Sequence, residues 1–230
     1  MAHKRKKKVI KKAKFISRPN RFIANIEIDG KNELCHVKNT GRCKELLVPG
    51  AEIYVEQSDS GNRKTKYDLI CVRKNKMLVN IDSQIPNKVI FEYIKNGGIF
   101  EKVEEIKCEK KYKNSRFDLY VKADGKENFV EVKGVTLEEN KIAKFPDAPT
   151  ERGIKHINEL VDAVKNGYDA YVVFVIQLKG VNSFEPNYKT HKKFGEALKF
   201  AEKNGVKILA FDCNVTETSI TIDEKIKICL

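Results

Sequence analysis

Short runs of alternating apolar and polar residues fill the first third of the sequence. Four of them have the length and period-two pattern of β-strands, and turn-forming residues separate them. The runs are Phe22–Ile28, Glu52–Glu56, Tyr67–Arg73 and Lys76–Ile81, and the turns are Asp29-Gly30, Pro49-Gly50, Ser60-Gly61 and Asn75. Several short strands joined by turns predict a small closed or partly open β-barrel, for which an OB-like fold is one candidate.

The pattern changes after Pro86, where helical periodicity alternates with buried strands. The predicted helices are Asn87–Asn96, Thr150–Asn166 and Lys192–Lys203, and the predicted strands are Arg116–Ala123, Asn128–Gly134, Tyr171–Ile176 and Val206–Phe211. We expect Asn87 to cap the first helix and Gly97-Gly98 to end it. Strands that alternate with helices predict an α/β domain. The chain is therefore divided into a basic N-terminal arm (residues 1–14), a barrel domain (15–84) and an α/β domain (85–230).

Composition places the chain among globular proteins of the cytoplasm. Of its 230 residues, 41% are hydrophobic, which is enough for a core, and no apolar run approaches the roughly 18 residues of a membrane span. The N-terminus lacks the apolar segment of a signal peptide. The six cysteines include no C-x-x-C pair, so six reduced thiols are a better interpretation than a zinc site. We expect no membrane partner, and the sequence is compatible with a homo-oligomer.

The charge distribution points to a polyanionic partner. The formal net charge is +13, and eight Lys and Arg residues lie within the first fourteen positions with no acid among them. A basic arm of this kind follows phosphates and gains affinity by releasing counterions, although a merely solubilising tail has the same composition. Charge alone does not separate DNA from RNA.

The main chemical signal is a hairpin that carries two carboxylates and a lysine. Asp124-Gly125 favours a two-residue turn, which places Asp118 directly opposite Glu131, whereas a four-residue loop places Asp118 opposite Lys133. Facing carboxylates repel each other, and a bound divalent cation would remove this electrostatic repulsion. Mg²⁺ and Mn²⁺ prefer hard oxygen ligands of this kind. Lys133 beside it could stabilise charge on a scissile phosphate.

This Asp…Glu-x-Lys arrangement is that of metal-dependent nucleases, written PD-(D/E)xK. Its ordinary alternative is a cross-strand ion pair on a solvated face. Glu92 could add a carboxylate, or it could lie on an exposed helix face. On the helix 150–166, the residues opposite the apolar stripe could contact phosphate or simply face solvent. They are Arg152, His156 and Glu159. Gln177, at the end of a buried strand, lies where clefts often form.

Many ordered motifs agree with one known family. The N-terminal half contains Arg18-Pro19-Asn20-Arg21-Phe22, His36-Val37-Lys38-Asn39-Thr40-Gly41-Arg42, Glu45-Leu46-Leu47-Val48-Pro49-Gly50 and Arg63-Lys64-Thr65. The C-terminal half contains Asn114-Ser115-Arg116-Phe117-Asp118, Glu131-Val132-Lys133-Gly134-Val135-Thr136-Leu137, Phe145-Pro146-Asp147-Ala148 and Thr150-Glu151-Arg152-Gly153-Ile154-Lys155-His156. From about residue 13 onward, the chain resembles the sugar fermentation stimulation protein A family.

The resemblance implies an N-terminal OB-fold domain, a C-terminal PD-(D/E)xK nuclease-like α/β domain, and DNA binding. Carried over by position, Asp118, Glu131 and Lys133 form the catalytic core, with the two carboxylates as metal ligands. The predicted nucleic-acid-binding residues are Arg18, Arg21, Asn39, Arg42 and Lys64 on the barrel, together with Arg152 and His156. His191 departs from the acidic residue expected before the last helix.

Three functions fit these observations. The first is a DNA-binding protein with a Mg²⁺- or Mn²⁺-dependent nuclease centre. The second is a non-enzymatic DNA-binding regulator of sugar metabolism genes with an inactive nuclease fold. The third is an RNA- or ribosome-associated module, in which barrel aromatics stack bases, although strand aromatics more often belong to a core. The candidate aromatics are Phe15, Phe22, Tyr54 and Tyr67.

Overall fold

The structure is a computed structural model that describes residues 3–4, 9–58 and 63–230. Within those ranges the chain forms seventeen strands and three helices. The strands are β1 (His3–Lys4), β2 (Ile10–Asn20), β3 (Ile23–Ile28), β4 (Lys31–Val37), β5 (Glu52–Gln57), β6 (Tyr67–Lys74), β7 (Met77–Asn80), β8 (Val103–Tyr112), β9 (Ser115–Ala123), β10 (Lys126–Val135), β11 (Leu137–Glu139), β12 (Ile142–Phe145), β13 (Asp169–Ile176), β14 (Ser183–Pro186), β15 (Lys207–Val215), β16 (Ser219–Lys225) and β17 (Lys227–Ile228). The helices are α1 (Ile85–Lys95), α2 (Glu151–Lys165) and α3 (Tyr188–Lys203).

The first domain is a closed barrel of five strands, β2 to β6. Neighbouring strands pair in the order β4-β3-β2-β5-β6, and a parallel pairing of β4 with β6, which matches Cys35 with Tyr67, closes the barrel. Alternate residues point inward, such as Ala24 and Ile26 on β3, and have no exposed surface. A five-stranded barrel that is closed in this way has the topology of an OB fold, as the sequence predicts.

The first barrel strand begins earlier than the sequence indicates. Residues 10–14, which the charge pattern places in the basic arm, form the start of β2 and pair with β5. Ala13 faces the core, and the lysines on either side of it reach acidic partners, with Lys12 2.5 Å from Glu52 and Lys14 3.8 Å from Glu27. The arm is therefore shorter than predicted, because these lysines are the outward residues of an amphipathic strand. Residues 5–8 of the arm and the predicted Ser60-Gly61 turn lie outside the described residues.

The second domain is built on a seven-stranded mixed sheet with helices on both faces. Its order is β1-β16-β15-β13-β10-β9-β8, and its centre, β10, β13 and β15, is parallel. Helix α1 packs on one face, where Ile90 and Val130 share a core. Helices α2 and α3 cover the other face, where Leu160 packs with Phe174. The central strand β13 is buried along almost its whole length, as expected of a strand covered on both faces.

The β9–β10 hairpin has the predicted register. Asp124 and Gly125, with φ values of 53° and 74°, form the two-residue turn, and Ala123 pairs with Lys126. Both turn residues need positive φ, which Gly adopts without a steric penalty and Asp tolerates better than most residues. The pairing continues to Leu119 opposite Val130 and ends there. The next two residues, Asp118 and Glu131, therefore lie where the strands begin to separate.

Two helix boundaries differ from the sequence prediction. Helix α1 begins at Ile85, so Asn87 lies inside its first turn and does not cap it. Helix α3 begins at Tyr188 with one turn, and His191, with φ −153° and ψ 83°, interrupts it. For α2 the prediction is correct to one residue at each end, and the Thr150 hydroxyl accepts a hydrogen bond from the Gly153 backbone N–H as its N-cap.

The two domains share a polar seam. Gln177, at the end of β13, donates from Nε2 to Asn80 Oδ1 (3.0 Å) and to the Asp82 carbonyl (3.1 Å) of the segment that leaves the barrel. Lys74 on β6 pairs at 2.6 Å with Glu138 on β11, part of a small sheet of β11, β12, β14 and β17. These buried and half-buried contacts fix the barrel beside the carboxyl end of the central strands.

Candidate active site

Asp118 bridges the point where β9 and β10 separate. Its Oδ2 accepts a hydrogen bond from the backbone N–H of Val132 at 2.8 Å, and its Oδ1 accepts one from the Asn87 side chain at 2.8 Å. The carboxylate thus replaces the ladder bond that the diverging strands no longer make. Asn87 reaches it from the first turn of α1. Sequence reasoning missed this role of Asn87 because the interaction joins residues 31 positions apart.

Glu131 lies deeper, on the face of the sheet that α2 covers. Its side chain is 4% exposed, and its Oε1 accepts hydrogen bonds from His156 Nδ1 (2.6 Å) and Lys133 Nζ (2.5 Å). Its other oxygen, Oε2, is buried and has no hydrogen-bond partner. A buried carboxylate oxygen without a donor is costly, and it is a common feature of sites that bind an ion.

The two carboxyl groups have opposite pKa shifts. Burial and the charge of Glu131 raise the pKa of Asp118, against the hydrogen bonds from Val132 and Asn87. Burial also acts to raise the pKa of Glu131, but the hydrogen bond from His156 and the charge of Lys133 outweigh it and lower the pKa. Environments that separate the pKa values of neighbouring acids are typical of catalytic pairs.

His156 connects Glu131 to the surface of α2. The imidazole is buried edge-on against Phe117, and Arg152 Nε donates to its Nε2 at 3.4 Å. With Nε2 as an acceptor, the ring proton is on Nδ1 and is donated to Glu131. The polar side of α2 thus faces the carboxylate at this point. Glu159, one turn later, has a buried Oε2 without a hydrogen-bond partner.

A cleft of about 600 Å³ opens beside Asp118, between α1 and the strands β8 and β9. Glu92 and Glu109 line it together with Asn87, and Glu109 has a positive φ of 54° within β8. Glu92 therefore belongs to the same cleft as Asp118, as the sequence allows. Gln177 does not line this cleft, because its side chain forms hydrogen bonds with Asn80 and Asp82 at the domain seam.

The predicted barrel residues do not all present free polar groups. The Arg18 guanidinium donates to four backbone carbonyls, which are those of Arg21, Asn39, Gly41 and Arg42. The Asn39 side chain donates to the Ile81 carbonyl and accepts from Gly41 N–H. Arg18 and Asn39 therefore position the loop 39–42 through these hydrogen bonds.

The other barrel residues are open to solvent. Arg42 and Lys64 are exposed, and Arg21 lies with its guanidinium 5.5 Å from the centre of the Phe22 ring. Asp147 Oδ2 accepts a hydrogen bond from the Arg42 backbone N–H at 2.9 Å, which fixes the loop 39–42 against the second domain. Asp147 thus has a structural role at the domain seam.

Among the described residues, no group of three or more His, Cys, Asp or Glu side chains is arranged to hold a metal ion. Within the same ranges, no helix is long and apolar enough to cross a membrane.

Comparison with known proteins assigns both domains. The family model described as "SfsA N-terminal OB domain" matches residues 16–81, and that described as "Sugar fermentation stimulation protein RE domain" matches residues 84–219. These matches and the topology confirm the predicted order of the fold, an OB barrel followed by an α/β domain.

Individual relatives match over almost the whole chain. A sugar fermentation stimulation protein homolog from Clostridium beijerinckii is 59% identical over 96% of this chain and 98% of its own length. Another from Desulfitobacterium hafniense is 60% identical over 92% of each chain. The solved structure of Pyrococcus furiosus SfsA in complex with Ca²⁺ has 30% identity and a TM-score of 0.89 over 96% of both chains. On these grounds the chain belongs to the sugar fermentation stimulation protein family.

Proposed function

We propose that this protein binds DNA and cleaves phosphodiester bonds at a Mg²⁺- or Mn²⁺-dependent centre formed by Asp118, Glu131 and Lys133. The observation that carries the proposal is the pair of carboxylates at the strand separation, with one buried oxygen of Glu131 left without a hydrogen-bond donor. An ion pair on a solvated face, the ordinary alternative, does not fit a Glu131 side chain that is only 4% exposed.

The donor set suits a divalent cation. Asp118 and Glu131 offer hard oxygen ligands, and each oxygen of Asp118 accepts a single hydrogen bond, which leaves it a further lone pair. Burial and the negative charge of Glu131 raise the pKa of Asp118, and a positive ion between the two carboxyl groups would relieve the repulsion. The solved structure of the Pyrococcus furiosus relative is a complex with Ca²⁺, which agrees with a cation site on this fold. When bound, such an ion supplies positive charge beside a phosphate and acidifies a water molecule.

The remaining residues have distinct parts in this proposal. His156 donates its Nδ1–H to Glu131 and holds the orientation of that carboxylate. Asn87 and the Val132 N–H do the same for Asp118. Lys133, whose side chain is 16% exposed, retains N–H groups beyond its bond to Glu131 and can donate one to a phosphate oxygen.

A DNA-binding regulator without catalysis is the second candidate. The net charge of +13 favours it, because counterion release supports DNA binding whether or not a bond is broken. The two candidates make different predictions for the carboxylates: the regulator does not need Asp118 and Glu131 to be ionisable.

Incubation with single-stranded, duplex and supercoiled DNA and with RNA, each under Mg²⁺, Mn²⁺ or EDTA, tests the proposal. We expect cleavage that requires the cation and that falls by more than about 100-fold in Asp118→Asn. Glu127→Gln is the matched control, since it removes one exposed carboxylate from the same strand as Glu131. Equal cleavage by Asp118→Asn would identify a contaminating nuclease. DNA binding without cleavage under any cation would favour the regulator.

A further inference from the structure

A second cavity, of about 180 Å³, lies at the domain seam, and we call it the seam cavity. Its walls come from both domains and include residues 39–41 of the barrel loop together with Gly134, Phe145, Asp147 and Gln177. Ser83 lines the seam cavity and also the cleft beside Asp118. Segments of three sequence motifs, 36–42, 131–137 and 145–148, therefore meet here, at residues to which the proposed nuclease centre gives no role.

Two acceptor oxygens at the seam cavity have no donor in the described part of the chain. Gln177 is 1% exposed, and both hydrogen bonds of its side chain are donated by Nε2, so Oε1 has no partner. A Cβ at Gly134, another wall residue, would lie 2.6 Å from this oxygen, which places Oε1 at the cavity wall. On Asp147, Oδ2 accepts from the Arg42 N–H, whereas Oδ1 accepts no hydrogen bond. Because a buried acceptor without a donor is costly, a ligand that donates hydrogen bonds is favoured here.

The rest of the wall suits a flat ring. Phe145 and Leu137 contribute apolar side chains to the seam cavity. A ring that carries an amino group matches both parts of the wall, because its body contacts the apolar side chains and its N–H groups donate to Gln177 or Asp147.

A pocket with an excess of positive charge adjoins the seam cavity, and we call it the cationic pocket. It has a volume of about 390 Å³ and shares Lys144 and Asp147 with the seam cavity. Lys144 is paired with Glu139 at 2.6 Å. The other charged side chains of the wall are three cations and two carboxylates, and within the described ranges none of them forms an ion pair: Arg42, Lys44, Lys189, Glu45 and Asp147. Unpaired Arg and Lys side chains in a concave site suit a phosphate.

We propose that the seam cavity and the cationic pocket together bind one nucleotide whose base carries an exocyclic amino group. The base lies in the seam cavity and donates to Gln177 Oε1 or Asp147 Oδ1, and the phosphate lies beside Arg42 and Lys189. Uracil and thymine fit less well, because they present a carbonyl oxygen where cytosine presents its amino group. A free nucleotide and one unit of a nucleic-acid chain offer the same chemistry, and neither requires cleavage at Asp118.

Calorimetric titration of the full-length protein with CMP and with UMP tests the base assignment, because the two differ in this amino group. EDTA removes any cation that would bind phosphate at Asp118. We expect CMP to bind about 10- to 100-fold more tightly than UMP, the range for one hydrogen bond to a charged acceptor. Asp147→Asn should lose most of this preference, since it keeps an oxygen for the Arg42 N–H and replaces Oδ1 with a donor.

A second variant tests the phosphate assignment. Lys189→Gln should weaken CMP and UMP binding by the same factor, because it removes a positive charge beside the phosphate and leaves the seam cavity intact. Lys193→Gln is the matched control, since Lys193 is exposed on the same helix and lines neither cavity. Equal affinity of wild type and Lys189→Gln for CMP would overturn the phosphate assignment.

Oligodeoxycytidine and oligothymidine of about ten nucleotides distinguish the two sources of the nucleotide. Tighter binding of oligodeoxycytidine that Asp147→Asn abolishes supports a site for one unit of a chain, whereas a preference for CMP alone supports a site for a free nucleotide. Equal affinities within both pairs of probes, or a preference that persists in Asp147→Asn, overturn the inference. Either result leaves cleavage at Asp118 and Glu131 to be decided by its own experiment.

Discussion

Replacing Asp118 by asparagine should make the metal-free protein more stable. The wild-type carboxylate is buried beside Glu131, and both features raise its pKa, so its ionisation costs more free energy in the folded state than in the unfolded state. Asparagine removes the charge and can keep both contacts: its oxygen accepts from Val132 N–H, and its amide donates to the Asn87 carbonyl oxygen once that amide rotates. We expect a gain of about 0.5–2 kcal/mol in the free energy of unfolding.

Alanine at the same position should have the opposite effect. Asp118→Ala removes the acceptor for the Val132 N–H, and Val132 is only 6% exposed. A buried donor left without a partner costs about 1–3 kcal/mol, which exceeds the relief of repulsion. The two substitutions therefore separate the charge of Asp118 from its hydrogen bonds.

Thermal unfolding in EDTA measures both effects, because 1 kcal/mol shifts the Tm of a chain of this size by about 2–4 °C. Asp118→Asn should have the highest Tm, wild type an intermediate Tm and Asp118→Ala the lowest. Excess Mn²⁺ should then favour wild type, which gains about 2.7 kcal/mol at a concentration 100 times the Kd, over Asp118→Asn. An Asp118→Asn protein that is less stable than wild type in EDTA would refute the electrostatic reasoning.

Two further predictions concern stability. Hydrogen bonds from Lys12 and Arg73 lower the pKa of Glu52 from 4.5 to about 2. The Glu52 carboxylate therefore stabilises the fold above pH 4.5 and loses that effect as the pH falls toward 2. Urea unfolding over this range should show a smaller loss for Glu52→Gln than for wild type, and parallel curves would contradict the assignment. Gly134→Ala should destabilise by about 1–3 kcal/mol, because its Cβ would lie 2.6 Å from Gln177 Oε1. Calorimetry checks this, and an unchanged Tm would show that the seam can relax.

Local signals in the sequence predicted the hairpin and α2 well. Asp124-Gly125 determines the turn, and the turn determines which residues of β9 and β10 face each other. Thr150 supplies a cap that depends only on the residue three positions later. Such features need no knowledge of the rest of the chain, which explains why the Asp118–Glu131 arrangement could be proposed in advance.

Features that depend on tertiary contacts could not be predicted in the same way. Asn87 is a residue type that commonly caps helices, yet its side chain donates a hydrogen bond to Asp118 on strand β9. Arg18 is a residue type that commonly contacts phosphates, yet its guanidinium donates hydrogen bonds to four backbone carbonyls of the barrel domain. Register shifts beside Phe15 in β2 and beside Tyr54 in β5 also interrupt the strict alternation from which the sequence assigns inward and outward residues.

Single-turnover cleavage of DNA in Mn²⁺ by wild type and Glu131→Gln tests the proposed centre most directly. Glutamine keeps the size of the side chain but removes the charge that binds a cation. We expect wild type to cleave, Glu131→Gln to be slower by more than about 100-fold, and both to bind DNA with similar affinity when measured in EDTA. Cleavage at the same rate by both proteins, or binding without cleavage by wild type, would contradict a catalytic role for this carboxylate.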